Sequence, residues 1–129
     1  MAVLIDTSVF AAVEDGRLRL AELVVPDGRY ALSVVTAAAL LHGVHRDTGA
    51  SASQRAAFVE GLLAGFGVLP VDLPVSRAYA RASAELAALN RAVDANDLWI
   101  AATALAHGFE LLALGGDFDL IPGLRRVPV

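Results

Sequence analysis

The sequence predicts an α/β fold, with a mainly parallel sheet of four to five strands between two layers of helices. Short apolar runs of strand length alternate along the chain with longer segments of helical periodicity. This alternation is typical of a parallel sheet covered on both faces. The chain has 129 residues, of which 57% are hydrophobic, enough for one core and too few for a second domain. We therefore predict a single three-layer domain over residues 1–129.

The predicted strands are short apolar runs that end at polar residues, proline or glycine. The first of them ends at Asp6-Thr7-Ser8, whose oxygen-bearing side chains suit the cap of a following helix. The strands are predicted at residues 3–5, 30–34, 68–71 and 109–114, with residues 126–129 as a fifth, edge strand.

The predicted helices are bounded by capping residues and by helix breakers. Thr36 is the expected cap of the helix after the second strand, and Gly108 is the expected end of the last helix. The helical segments are residues 18–24, 37–45, 51–65, 74–89 and 94–108. The third of them starts at Ser51 or Ser53, and the last at Asp94 or Asn96.

Composition excludes several kinds of chemistry. The chain has no cysteine, which rules out disulfides, thiolate zinc sites and a cysteine nucleophile. All ten cationic side chains are arginine, so mechanisms that need a lysine ammonium are excluded. A net charge of −4 argues against a general polyanion-binding surface. No apolar run reaches the length of a membrane span and the start does not resemble a signal peptide, so we expect a soluble cytoplasmic protein.

Acidic residues follow two of the predicted strands and begin one of the helices. Asp6 follows the first strand, Asp94 and Asp97 begin the helix before the fourth strand, and Asp117 and Asp119 follow that strand. The carboxyl ends of parallel strands meet at one edge of a sheet, so these carboxylates are expected to converge there. Converging carboxylates repel one another unless a cation lies between them. The pattern predicts a site for Mg²⁺ or Mn²⁺, suited to phosphodiester hydrolysis.

Each of these acids also has a purely structural explanation. Asp6 suits a helix cap, Asp94 and Asp97 suit a capped first turn, and Asp117 and Asp119 suit a turn. Their joint placement favours the metal site.

Other polar and aromatic residues give weaker signals. His42 and His45 lie three apart on one helix but have no further ligand at suitable spacing, so we interpret them as surface or partly buried histidines. Trp99 is expected in packing or a subunit contact rather than as a platform for base stacking. Arg77 and Arg81 are most simply a solvated helix face, with phosphate contact as the alternative.

Taken in order, these segments resemble the PIN-domain family, and within it the VapC-type toxins of bacterial toxin–antitoxin pairs. The resemblance covers the whole chain, and its most specific part is Asn96-Asp97-Leu98-Trp99-Ile100-Ala101-Ala102-Thr103-Ala104. The other matching segments are residues 4–10, 33–36, 40–44, 117–118 and 122–124.

The resemblance implies a magnesium-dependent ribonuclease, with Mn²⁺ as a substitute metal. It makes Asp6 and Asp97 the metal ligands, Asp117 a further catalytic acid, Asp94 an auxiliary acid and Ser8 a residue that orients Asp6. It also implies a homodimer, a structured RNA substrate such as tRNA or ribosomal RNA, and a VapB-type antitoxin. The tail of such an antitoxin blocks the acidic pocket, often with an arginine that competes with the metal.

Two positions depart from the family's pattern. The pattern after the second strand is Thr-x-x-Glu, and this chain has Ala39 in place of the catalytic glutamate. Gly115 stands where the family usually has Asn or Asp. We therefore expect an impaired enzyme, either because the glutamate was deliberately replaced, which the intact Asp6 and Asp97 favour, or because the protein is naturally degenerate.

Two other functions compete with the nuclease. A non-catalytic subunit that binds an antitoxin or RNA would explain Ala39 and Gly115. A phosphatase with an Asp-x-Asp nucleophile is less well supported, because Thr7 and Ser8 follow Asp6 and the chain has no lysine.

Overall fold

A computed structural model describes residues 1–127 and contains one five-stranded sheet in which all paired strands are parallel. This confirms the predicted parallel sheet, at the upper end of the predicted number of strands. In the order β3-β2-β1-β4-β5, the first strand of the chain lies at the centre. The strands are β1 (Ala2–Ile5), β2 (Arg29–Ser33), β3 (Gly67–Leu69), β4 (Glu110–Leu112) and β5 (Arg126–Val127).

Within residues 1–127, six α-helices and one 3₁₀ turn connect and cover the strands. The 3₁₀ turn, Asp117–Leu120, lies between β4 and β5. The helices are α1 (Thr7–Glu14), α2 (Leu20–Leu23), α3 (Val34–Arg46), α4 (Ala52–Gly65), α5 (Leu73–Ala88) and α6 (Ala95–His107).

Side chains of the central strands alternate between two hydrophobic clusters, one on each face of the sheet. Leu4 and Leu111 pack with α5 and α6 on one face. Ile5 and Leu112 pack with residues of α1, α3 and α4 on the other. Successive side chains of a strand point to opposite faces, so a strand covered by helices on both sides is apolar throughout. This explains why the sequence shows continuous apolar runs instead of alternating patterns.

The start of α3 differs from the prediction. The predicted cap was Thr36, but the helix begins at Val34 and Ser33 caps it, its Oγ accepting a hydrogen bond from the Val35 amide at 3.1 Å. Thr36 instead lies fully buried inside the first turn, where its hydroxyl accepts a hydrogen bond from the Thr7 hydroxyl at 3.0 Å. Ser33 and Thr36 are both capable caps, and the earlier one is used because β2 ends at Ser33.

Several other elements are shorter than predicted. β3 ends at Leu69, because Pro70 has no amide to donate to the sheet. β4 ends at Leu112, and the amide of Leu114 donates to a side chain instead of a strand. The predicted helix at 18–24 is the single turn α2, and the last strand is described only to Val127, with residues 128 and 129 outside the described part.

The two ends of α6 follow the predicted signals. Asp94 caps the first turn, its Oδ2 accepting a hydrogen bond from the Asn96 amide at 3.1 Å. Gly108 ends the helix in the left-handed conformation, with φ of 68°, which favours glycine. The cap places the first turn of α6 beside the carboxyl end of β1, which positions the site. Within residues 1–127, no helix is long and apolar enough to cross a membrane.

Candidate active site

Asp6 lies at the junction of three elements. It directly follows β1, it caps α1, and its amide donates a hydrogen bond to the Leu112 carbonyl of β4 at 2.9 Å. Its carboxylate Oδ2 accepts two hydrogen bonds from Ser8, from the amide at 3.0 Å and from the hydroxyl at 2.6 Å. The structural role as a cap and the role as a site residue therefore coexist in one side chain.

The second carboxylate oxygen of Asp6 has no partner. The residue is only 4% exposed, and Oδ1 is buried without a hydrogen bond within the described chain. A buried, unpaired carboxylate oxygen is costly, and native proteins satisfy such atoms with a hydrogen-bond donor or a cation. Within residues 1–127, Ser8 satisfies Oδ2 of Asp6, and Oδ1 is left available to a ligand.

A pocket of about 290 Å³ opens beside Asp6 at the carboxyl edge of the sheet. The predicted site residues Ser8, Ala39, Asp94 and Asp97 line it together with Asp6. Topology explains the convergence, because every strand ends at this edge and α6 begins there.

The acids of the site interact electrostatically. The pKa of Asp97 is raised above its usual 3.8, first by partial burial and then by the negative charges of Asp6, Asp94 and Asp117. Three of the predicted acids therefore act on a fourth, Asp97, and a bound cation would offset this repulsion.

Asp117 and Asp119 lie on the same 3₁₀ turn but interact with different residues. Asp117 is exposed and does not line the pocket, but its negative charge helps to raise the pKa of Asp97. Asp119 instead forms an ion pair with Arg126, its Oδ2 lying 3.1 Å from Nη1. The turn predicted at these acids is a 3₁₀ turn, and Asp119 is paired with Arg126 and does not line the pocket.

Ala39 lines the pocket from an exposed position on α3 and offers no oxygen. Within residues 1–127, no three His, Cys, Asp or Glu side chains lie close enough together to hold a metal ion as placed. His42 and His45 are exposed, in agreement with their interpretation as surface residues. Asp6, Asp94 and Asp97 share the pocket, Asp117 adds negative charge without lining it, and the wall formed by Ala39 has no ligand atom.

Two polar residues that line the pocket are not among the predicted site residues. Thr7 and Asn96 line the pocket, and Thr7 and Thr36 join the start of α1 to the start of α3 through their hydroxyl hydrogen bond. The sequence indicated Thr7 and Asn96 only by their position, since Thr7 follows Asp6 and Asn96 precedes Asp97. Trp99 stacks on Tyr79 with ring centroids 3.8 Å apart, which confirms its expected packing role.

A three-layer fold with an acidic pocket at the carboxyl edge of its parallel sheet is the arrangement of a PIN domain. The model of the family described as PIN domain matches residues 3–124, and the chain belongs to this family.

Proteins with sequences similar to this chain include two that are named VapC ribonucleases. The chain is 40% identical to Ribonuclease VapC5 of Mycobacterium tuberculosis, over 99% of this chain and 93% of that protein. It is 35% identical to Ribonuclease VapC4 of the same organism, over 98% of this chain and 95% of that protein. Among solved structures it is similar to VapBC-5 of M. tuberculosis, a member of the VapBC family of toxin–antitoxin systems. That match has a TM-score of 0.79 at 35% identity, over 98% of both chains.

VapBC2 of Rickettsia felis, bound to a DNA fragment from its promoter, has a TM-score of 0.88 at 20% identity over 98% of both chains. At that identity the likeness bears on the fold alone.

The raised pKa of Asp97 makes the metal-free protein sensitive to pH. A carboxyl whose folded pKa lies above its unfolded value of 3.8 favours folding most below 3.8, and this advantage is lost as pH rises through the folded pKa. At about pH 7, Asp97→Asn should therefore raise the melting temperature by about 2 °C, a small value because the group is partly solvated. Thermal unfolding in EDTA measures this change.

Asp27→Asn, at an exposed position in the loop before β2, is the matched control and should leave the melting temperature unchanged. The stabilisation by Asp97→Asn should vanish at about pH 3, where the carboxyl is protonated in both states. A lower melting temperature for Asp97→Asn at about pH 7 would contradict this account of the acidic pocket.

Ser8 connects Asp6 to the segment after β4. Its hydroxyl donates to Asp6 Oδ2 and accepts from the Leu114 amide at 3.0 Å, so Ser8→Ala leaves both groups short of a partner. The free energy of unfolding should fall by about 1–3 kcal/mol, the cost of unpaired polar groups. Chemical denaturation measures it.

Ser76→Ala is the comparison for Ser8→Ala. The Ser76 hydroxyl donates to the Asp72 carbonyl at an exposed helix start, where water replaces it, so the loss should stay below about 0.5 kcal/mol. Equal losses in the two variants would show that Ser8 is an ordinary surface serine.

Proposed function

We propose that this chain is a VapC-type endoribonuclease of a toxin–antitoxin module, acting in the cytoplasm on structured RNA and impaired by Ala39. The observation that carries the proposal is the unpaired, buried Asp6 Oδ1 in a pocket shared with Asp97. The names of relatives that match nearly the whole chain support the reaction class.

The donor set fits a divalent cation. Carboxylate oxygens are the ligands preferred by Mg²⁺ and Mn²⁺, and Asp6 Oδ1 is buried and unsatisfied. Asp6 and Asp97 would hold the ion, with Asp94 and Asp117 adding negative charge around it. A bound cation would supply a water of lowered pKa and neutralise charge on the phosphate.

The protein's own residues prepare this arrangement. Ser8 holds Asp6 Oδ2 through two hydrogen bonds, so that only Oδ1 is free to bind a ligand. Asp94 caps α6 with its own carboxylate, which fixes the first turn and therefore the position of Asp97. On α3, Ala39 has no group that can orient a water or bind the ion, so the chemical step is expected to be slow.

A VapB-type antitoxin is the proposed partner. The solved structure of VapBC-5, at 35% identity, is that of a member of the VapBC family of toxin–antitoxin systems, which supports such a pairing here. The unrelieved acidic charge around Asp97 would attract an arginine of the antitoxin tail as well as a metal. The homodimer stays a prediction.

A non-catalytic binding subunit is the second candidate. Ala39 lacks a ligand atom, and Gly115 adopts a left-handed conformation with φ of 57°. A Cβ at Gly115 would meet nothing within 4 Å, so the glycine serves the turn and not a close approach. The missing oxygen at both positions favours this candidate, and restoring one of them tests it.

Ala39→Glu should restore ribonuclease activity. The residue is exposed and faces the pocket, so a glutamate side chain has room and adds a carboxylate to the acids present. Adding a missing site carboxylate should raise the cleavage rate by about 100-fold or more, since outer partners of a metal site alone contribute 10- to 100-fold. The assay uses total tRNA and ribosomal RNA with Mg²⁺ or Mn²⁺, and with EDTA as the metal-free arm.

Ala38→Glu is the matched control, because Ala38 is also exposed on α3 but does not line the pocket. It should stay as inactive as the parent chain. Metal binding, followed by the rise in melting temperature with added Mn²⁺, should be stronger in Ala39→Glu than in either other protein. No cleavage by Ala39→Glu, despite metal binding, would favour the binding subunit.

A further inference from the structure

A second groove, separate from the acidic pocket, lies between α5, α6 and the loop before β5. Its volume is about 560 Å³, within the usual range of binding clefts. One wall carries Arg77 and Arg81 of α5, and the opposite wall is mostly apolar, with Leu105, Ala106 and Pro122. This groove combines paired positive charge with an apolar surface.

The two arginines are available for a ligand. Neither forms an ion pair within the part of the chain that the structure describes, whereas Arg17, Arg55 and Arg126 do. Both side chains are exposed, and a four-residue spacing puts their Cβ atoms about 6 Å apart on one helix face. Arginine is the preferred side chain for bidentate contact with a phosphate.

The groove and the acidic pocket use different sides of α6. Ile100 lines the acidic pocket, and Leu105 and Ala106 line the groove. Five or six residues correspond to a shift of about 8 Å along the helix and a rotation of about 140° or 240° around it. A ligand in the groove is therefore separated from the acids by the width of a helix.

We infer that this groove binds the sugar–phosphate backbone of a folded RNA, at a place away from the bond to be cut. The inference rests on the proposed ribonuclease function and adds the surface that holds the substrate. The net charge of −4 and the acidic pocket repel RNA, so its binding requires a local positive surface elsewhere.

The features of the groove suit this occupant. Arg77 and Arg81 would contact phosphates while the apolar wall contacts ribose, and Glu85 is the single carboxylate among the described lining residues. Because the groove and the pocket face different sides of α6, one RNA can fill both only if it is bulky enough to reach around the helix. A folded RNA meets this requirement better than a short single strand.

The test measures the affinity of the full chain for fluorescently labelled bulk tRNA in EDTA, where cleavage does not intervene. The variant Arg77→Ala/Arg81→Ala should bind about 10- to 100-fold more weakly, and the slope of log affinity against log salt should fall by about 1 per arginine. Arg77→Lys/Arg81→Lys keeps the charge but not the planar guanidinium group, so its affinity for tRNA should lie between those of the double alanine variant and the parent chain.

Arg19→Ala/Arg46→Ala is the matched control. It removes the same charge from two exposed arginines that have no ion pair within residues 1–127. Equal losses of tRNA affinity in the two double variants would overturn the assignment of the groove to RNA and leave the proposed ribonuclease function unaffected. No tRNA binding by the parent would overturn the inference, and cleavage by Ala39→Glu would then still decide the function separately. Tighter binding of labelled polyglutamate than of tRNA, lost in Arg77→Ala/Arg81→Ala, would assign the groove to an acidic peptide instead.

Discussion

The hydrogen bonds of Asp6 are the interactions on which the site depends. The amide of Asp6 donates to the Leu112 carbonyl of β4, and Ser8 donates two hydrogen bonds to Oδ2 of Asp6. The Ser8 hydroxyl in turn accepts a hydrogen bond from the Leu114 amide. These hydrogen bonds join the end of β1, the start of α1 and the segment after β4. Within residues 1–127 they leave one buried oxygen of Asp6, Oδ1, without a hydrogen bond. The local structure therefore accepts an energetic cost at the one atom that a ligand would satisfy.

Continuous apolar runs and cap signals were enough to predict the sheet, its parallel strands and the ends of α6. The predictions that failed concern choices between equivalent local signals. Ser33 and Thr36 can both cap α3, and only the end of β2 decides between them. The lengths of β3 and β4 were overestimated because apolar residues such as Val71 continue past the last paired residue, a limit set by neighbouring strands. These boundaries depend on tertiary pairing, which a local pattern does not contain.

The acids of the site were predictable as a group and less so individually. Asp6, Asp94 and Asp97 meet because the ends of parallel strands and the start of α6 share one edge. Asp119 could not be distinguished from Asp117 by sequence, since its removal from the site depends on an ion pair with Arg126 on another strand. The alanine at position 39 was informative only through the resemblance to a family pattern, because nothing in local sequence physics calls for an acid there.

The strand order also has a consequence for the growing polypeptide. β1 is the first strand to be synthesised, yet it lies at the centre of the sheet and needs β4, more than a hundred residues later, to cover its second edge. Asp97 likewise leaves the ribosome long after Asp6. Contacts so distant in sequence form late, because the loop between them must first be closed. A chain that has not yet been synthesised as far as β4 therefore has no assembled acidic pocket.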